Sequence, residues 1–161
     1  MGYSMKKNVT RLLDQKKVIY TVYELPTEKL GAEVTDEILS VSAETVFKTI
    51  VIKREGRGKP ILEVVPGDCE VDLKKLAAVV GEKKVFLTTQ NEAEMLTKLQ
   101  VGGISPLALI NRGFQVVIDQ SAQSHSEVHV SGGQRGLNIR LPVIDLQKLT
   151  NARLAEISRS R

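Results

Sequence analysis

A lysine set in an otherwise apolar, β-branched run, Val46-Phe47-Lys48-Thr49-Ile50-Val51, is the first place where this chain offers chemistry. With the period-two alternation of a strand, Val46, Lys48 and Ile50 share one face and Phe47, Thr49 and Val51 the other. The ammonium is then either exposed at a sheet edge or turned into a cleft. Two glycine-rich segments supply open backbone: Gly102-Gly103-Ile104-Ser105-Pro106 and Val130-Ser131-Gly132-Gly133-Gln134-Arg135-Gly136-Leu137-Asn138-Ile139. Glycine lets main-chain N–H groups approach a ligand closely, and Pro106 fixes the exit of its loop. One cation and two open backbone edges make a site for an anion or a polarised carbonyl. Each signal alone has a plainer reading, a solvated lysine on a sheet or a glycine pair that only makes a turn, so the case rests on the three together.

Other chemistry-bearing residues are weaker. Cys69 sits beside Asp68 and Glu70, and negative neighbours raise a thiol pKa, which makes it a poor nucleophile. His125 and His129 are four apart, but the strand-like Val128 between them argues against the helix that would aim both at one metal, and no cluster completes such a site. Ser131 lacks a partner base and a nucleophile-elbow pattern, so serine hydrolysis is not indicated. No metal and no cofactor is expected.

The elements that must carry these residues are those of a single domain over 1–161, long enough to bury a self-sufficient core. Hydrophobic residues make up 42% and charged residues 26%, an ordinary globular balance without a disordered tract. The 23 Lys+Arg against 19 Asp+Glu give +4, too little by itself to mark a nucleic-acid binder. One cysteine and no apolar leader suit a reducing cytoplasm, with no membrane segment.

An amphipathic helix is predicted from about Met5 to Asp14, a strand over Val18–Glu24, a short helix over Gly31–Leu39, and a turn at Ser42–Thr45. Val46 to Lys53 and Ile61 to Val65 form a hairpin through Gly56–Pro60. Asp72 caps a helix that ends at Gly81, and Val85–Leu87 is a short strand. The capping box Thr89-Gln90-Asn91-Glu92 starts a helix through about Leu99. Gln115–Asp119, Glu127–Ser131 and Leu137–Arg140 read as strands, and Asp145 caps a last helix toward Ile157. Helices interleaved with strands, without a regular βαβ repeat, predict an α/β fold with a mixed, partly barrel-like sheet flanked by helices.

Taken in order and at these separations, Phe47-Lys48-Thr49, Gly102-Gly103-Ile104-Ser105-Pro106-Leu107 and Val130-Ser131-Gly132-Gly133-Gln134-Arg135-Gly136-Leu137 resemble the bacterial YbaK-type Cys-tRNA(Pro) deacylases, relatives of the editing domain of some prolyl-tRNA synthetases. The resemblance spans nearly the whole chain. It implies a trans-editing enzyme that removes cysteine wrongly attached to tRNA(Pro), with prolyl-tRNA synthetase as a partner that holds the tRNA. Lys48 matches the family's essential lysine. Tyr23 matches a pocket tyrosine, with Tyr20 as its competitor. Gly102, Gly103 and Pro106 match a loop over the aminoacyl group that also contains Ile104 and Ser105, and Ser131 and Gly132 match the facing wall. Thr49 favours cysteine over the alternative Ala-tRNA(Pro), whose editing relatives more often follow the lysine with Asn. Asn138 stands where many relatives have Asp, and it is the best support for the other alternative, a non-catalytic tRNA-binding module that kept the fold.

Overall fold

The structure, a computed structural model, describes residues 5–26, 39 and 41–161. Helix α1 (Met5–Gln15) buries Val9 and Leu13, one turn apart, against the core. Strand β1 (Thr21–Glu24) follows, three residues shorter than predicted at its start. The helix predicted over Gly31–Leu39 lies outside the described residues apart from Leu39, and Ser42–Thr45 holds a 3₁₀ turn at Ala43–Thr45.

Strands β2 (Phe47–Arg54) and β3 (Ile61–Pro66) form the expected antiparallel hairpin. Every residue of β3 is buried, as befits a strand flanked on both edges and covered on both faces. The short strand β4 (Cys69–Val71) was not legible in the sequence. Helix α2 (Leu73–Val80) is bounded as its end residues dictate: Asp72 accepts from the Lys75 amide, and Gly81 turns into the left-handed region at φ 75°. Strand β5 (Val85–Leu87) leads to helix α3 (Gln90–Thr97), opened by the full Thr89–Glu92 capping box. It stops two residues before Leu99, because Lys98 adopts φ 63°.

Strands β6 (Gln115–Asp119), β7 (Glu127–Ser131) and β8 (Leu137–Pro142) complete the predicted set. The last helix is a correction. Helix α4 (Val143–Thr150) starts two residues before Asp145, with Pro142 at the cap position, and ends at Asn151, φ 53°, well short of Ile157. Beyond it, β9 (Arg153–Ala155) pairs in parallel with β6, and β10 (Ser158–Ser160) pairs with β4. Tertiary pairing claims this segment, which helical spacing alone had assigned to a helix.

The strands form a five-stranded sheet in the order β5-β2-β3-β6-β9, a three-stranded sheet β1-β8-β7, and the β10-β4 pair. A parallel bridge between Val46 and His129 joins the first two sheets into one curled surface. Inside the curl, Leu13, Phe47, Val51, Leu62, Val64, Ile118, Val130, Ile139 and Leu146 make the main core. The opposite face of the large sheet packs Ile52, Ile61, Val65 and Val117 on Leu76 of α2 and on Ile157. Full burial of each such Leu or Ile contributes about 1.5–3 kcal/mol, so both faces of β2 are anchored around Lys48. Among the described residues no helix is long and apolar enough to cross a membrane.

Candidate active site

The site arises from the way β2 shares one of its edges. The Gly67 amide extends the β3 side by donating to the Val46 carbonyl, so β7, bridged at Val46, must lie on the other side. That other side is also where β5 pairs with Ile52, Lys53 and Arg54. Between β7 and β5 the edge of β2 has no strand partner among the described residues, and a cavity of about 420 Å³ opens there. Thr88 closes its far end by donating both its amide and its Oγ1 to the Val51 carbonyl. Backbone groups alternate along a strand, so Thr49 turns its N–H and C=O the same way, into the gap.

Register then assembles the side chains. From the Val46–His129 bridge, one step of two residues along both parallel strands brings Lys48 and Ser131 to either side of the gap. Ser131 is paired with Asn138, and Asn138 with Tyr23. Lys48, Ser131, Asn138 and Tyr23 therefore form one row across four strands on a single face. The neighbouring row is Val46, His129, Arg140 and Thr21.

Lys48 is half-buried, and its Nζ donates to the Cys69 carbonyl at 2.7 Å. Burial lowers its pKa and the nearby Arg161 pushes the same way, against the opposing pull of Cys69, Glu70 and Asp68. It is the one charged side chain among the described residues that line the cavity. None of those lining residues is an acid, a histidine or a cysteine. Thr49 Oγ1 is buried without a hydrogen-bond partner at the same wall. No group of His, Cys, Asp or Glu among the described residues is arranged to hold a metal ion.

The two glycine-rich segments touch each other directly. A Cβ on Gly103 would lie 2.7–2.8 Å from backbone atoms of Gln134 and Arg135, closer than real contacts allow. Arg135 ties the same loops together by donating from Nε to the Val101 carbonyl at 2.8 Å. Gly136, at φ 84°, brings the second loop against Leu25, whose amide donates to its carbonyl.

Of the residues singled out from the sequence, Lys48, Thr49, Gly102, Ile104, Ser131 and Asn138 line the cavity. The other five stand outside the lining and support it. Gly103 makes the contact between loops, and Gly132 leaves room for the Leu137 side chain, which a Cβ would meet at 2.5 Å. Ser105 is fully buried, with its Oγ accepting from the Leu107 and Ala108 amides, just before which Pro106 exits the loop. Tyr23 packs its ring on His129, centroids 5.5 Å apart, whereas its competitor Tyr20 donates its hydroxyl to Asp14. Ser131 Oγ accepts from the Gly133 amide at 3.3 Å, so it caps its own loop. Sequence reasoning passed over the second row: His129, considered only as a metal ligand, has Nδ1 2.8 Å from Asn138 Oδ1, and Arg140 lies over the Tyr23 ring. Alternation within Val128–Ser131 and Asn138–Arg140 carried that signal.

A curled mixed sheet with a lysine at its edge and two facing glycine loops makes this an α/β domain with one open, lysine-bearing site. The structure described as a candidate trans-editing enzyme for prolyl-tRNA synthetase has the same fold, with a TM-score of 0.83 at 23% identity, covering 99% of this chain and all of that one. The sequence profile of the aminoacyl-tRNA editing domain matches residues 28–149, and the chain belongs to that family, a family of aminoacyl-tRNA deacylases. The candidate Cys-tRNA(Pro)/Cys-tRNA(Cys) deacylase EbsC of Enterococcus faecalis is 37% identical over 95% of this chain and 93% of its own length. The prolyl-tRNA editing protein ProX of Acetoanaerobium sticklandii is 26% identical over 94% of each chain.

Proposed function

We propose that this chain, acting as a single editing domain in the cytoplasm, hydrolyses the ester bond of mischarged Cys-tRNA(Pro) with the help of the substrate's own thiol. The observation that carries the reading is the composition of the cavity wall. It holds one ammonium and hydrogen-bonding groups, but among the described lining residues there is no acid, histidine or cysteine, and its hydroxyls have no such base beside them to activate them. A cysteinyl ester brings its attacking group with it. Held in a near-attack geometry, its sulfur bonds to the ester carbonyl carbon and the carbon–oxygen bond to the ribose breaks. The thiol proton passes to the departing ribose oxygen, and water then opens the resulting thiolactone to free cysteine. Effective molarity supplies the acceleration, and the protein's work is to position and polarise.

Lys48 stabilises negative charge on the carbonyl or ribose oxygen from across the gap. The Thr49 backbone edge and the Gly102 loop hold the aminoacyl group beside it. Alanyl and prolyl esters lack the thiol and would bind without reacting. The charge of +4 gives little tRNA affinity by itself, which fits a partner such as prolyl-tRNA synthetase holding the tRNA body.

The test is single-turnover deacylation of Cys-tRNA(Pro) and Ala-tRNA(Pro) side by side, by wild type and Lys48→Ala. Loss of the cysteinyl ester alone, abolished in the variant, is the expected result. Equal hydrolysis of both esters would refute thiol assistance. Hydrolysis of neither by folded protein would favour the tRNA-binding module.

A further inference from the structure

Asn138 of the cavity wall is paired with His129 behind it, both of them buried polar groups. His129 is 2% exposed and Asn138 5% exposed, and their contact of 2.8 Å joins the two rows of the site. We propose that His129 is a positioning residue, which fixes the Asn138 amide so that its NH₂ serves as a hydrogen-bond donor to an oxygen of the aminoacyl ester. The proposal deepens the deacylase reading and rests on it.

The orientation follows from the surroundings of the ring. An oxygen at Asn138 requires a proton on His129 Nδ1, which leaves the Nε2 lone pair free in the neutral imidazole. Arg140 is the direct cross-strand partner of His129, and its Nε is buried without a hydrogen-bond partner. A guanidinium next to the ring favours a lone pair there over a second N–H. Glu127, on the same face, lies 3.7 Å from that Arg140 Nε without hydrogen-bonding to it. The Tyr23 ring, inclined 45° to the imidazole, prevents His129 from swinging away. Burial, with the charge of Arg140, lowers the imidazole pKa and so favours the neutral ring, and a charged ring would still donate from Nδ1. With Oδ1 so occupied, Asn138 Nδ2 finds no acceptor among the described residues and is not sealed from the cavity that Asn138 lines. An unused donor facing a site where an ester must be polarised adds a second positive pole near Lys48. A carboxylate at this position would instead offer an acceptor only.

Nitrogen-15 NMR of the histidine rings tests the orientation without any reference to activity. The expected spectrum has His129 protonated on Nδ1 and bare on Nε2, with this preference lost in Asn138→Leu. A ring protonated on Nε2 in wild type would turn the amide around and overturn the proposal. The kinetic arm compares two substitutions in single-turnover deacylation of Cys-tRNA(Pro). His129→Phe fills the space without a donor and is expected to lower the rate by about 10-fold or more, as for a misplaced aligned group. His129→Asn, whose Nδ2 falls near the position of the imidazole Nδ1, is expected to recover most of that rate. Equal losses in the two variants, or none, would reduce His129 to packing. A wild type inert toward every ester would defeat the deacylase reading, and the ring tautomer would still show which way the amide faces.

Discussion

Lys48 and Glu63 occupy neighbouring strands and the same face of the sheet. Ile50, two residues on from Lys48, is the direct partner of Glu63. Their fates are opposite. Lys48 stands where β2 has an open edge, and it keeps one backbone acceptor and access to the cavity. Glu63 stands on β3, whose edges are taken by β2 and β6, and it is fully buried with no partner for either carboxylate oxygen. Burial, reinforced by Asp119 and Asp72, pushes its pKa up to about 8. A charge at a break in the pairing pattern remains an electrostatic tool, whereas one in the closed centre of the sheet gives up its charge to stay inside.

Neutralising the edge position should have the largest effect. Lys48→Ala is expected to lower single-turnover deacylation by about 100-fold or more, the scale of losing a positioned electrostatic group, with little change in thermal stability. Retention of near-normal turnover would show that the open edge does not matter for chemistry. In wild type the rate should fall on the alkaline side at a pH below the ordinary lysine range, since burial favours the neutral amine.

Gly103→Ala attacks the open edge from its far wall. The added methyl must displace the backbone at Gln134 and Arg135, and overpacking of this kind costs about 1–3 kcal/mol. At about 2–4 °C per kcal/mol for a chain of this size, differential scanning calorimetry would detect it together with reduced deacylation. An unchanged melting temperature would mean that the two loops are not held against each other in solution.

Glu63→Gln examines the closed region. The folded protein keeps the Glu63 proton up to about pH 8, while the unfolded chain releases it near 4.5. The native state therefore binds more protons across that window, and stability declines as pH rises through it. The variant should flatten this slope in urea titrations at several pH values, and identical slopes in the two proteins would place an ionised carboxylate in the core. Smallest of all is Cys69→Ser. Lys48 uses the Cys69 carbonyl while the thiol turns to Asp68, so turnover should remain within about twofold, in line with a surface change worth under ~0.5 kcal/mol. A large loss would give the sulfur a role that its geometry does not suggest.

Much of this architecture was legible because its signals are local. Asp72 and Gly81 bound their helix through hydrogen bonds and a left-handed turn set within a few residues, and the Thr89–Glu92 box did the same. The alternation of Phe47–Arg54 identified the strand and the face of Lys48. The helix projected to Ile157 failed because Arg153–Ala155 and Ser158–Ser160 take their conformation from pairing with β6 and β4, whose partner residues lie 36 or more positions away in sequence. His129 was read through its spacing from His125, when its meaning lay in Asn138 on the adjacent strand.

By itself, then, the sequence determined most of the elements, the capping of α2 and α3, the face on which Lys48 projects and, through three motifs, the editing-domain family. Those properties depend on residue type and on contacts within a few positions. Tertiary structure alone decided that β7 and β5 share an edge of β2 and leave a gap between them, and that Lys48, Ser131, Asn138 and Tyr23 fall in one row. It also decided that Gly103 meets Gln134 and that Glu63 is sealed. These follow from the register of strands distant in the chain, and register is fixed only when both faces of the sheet find their packing partners.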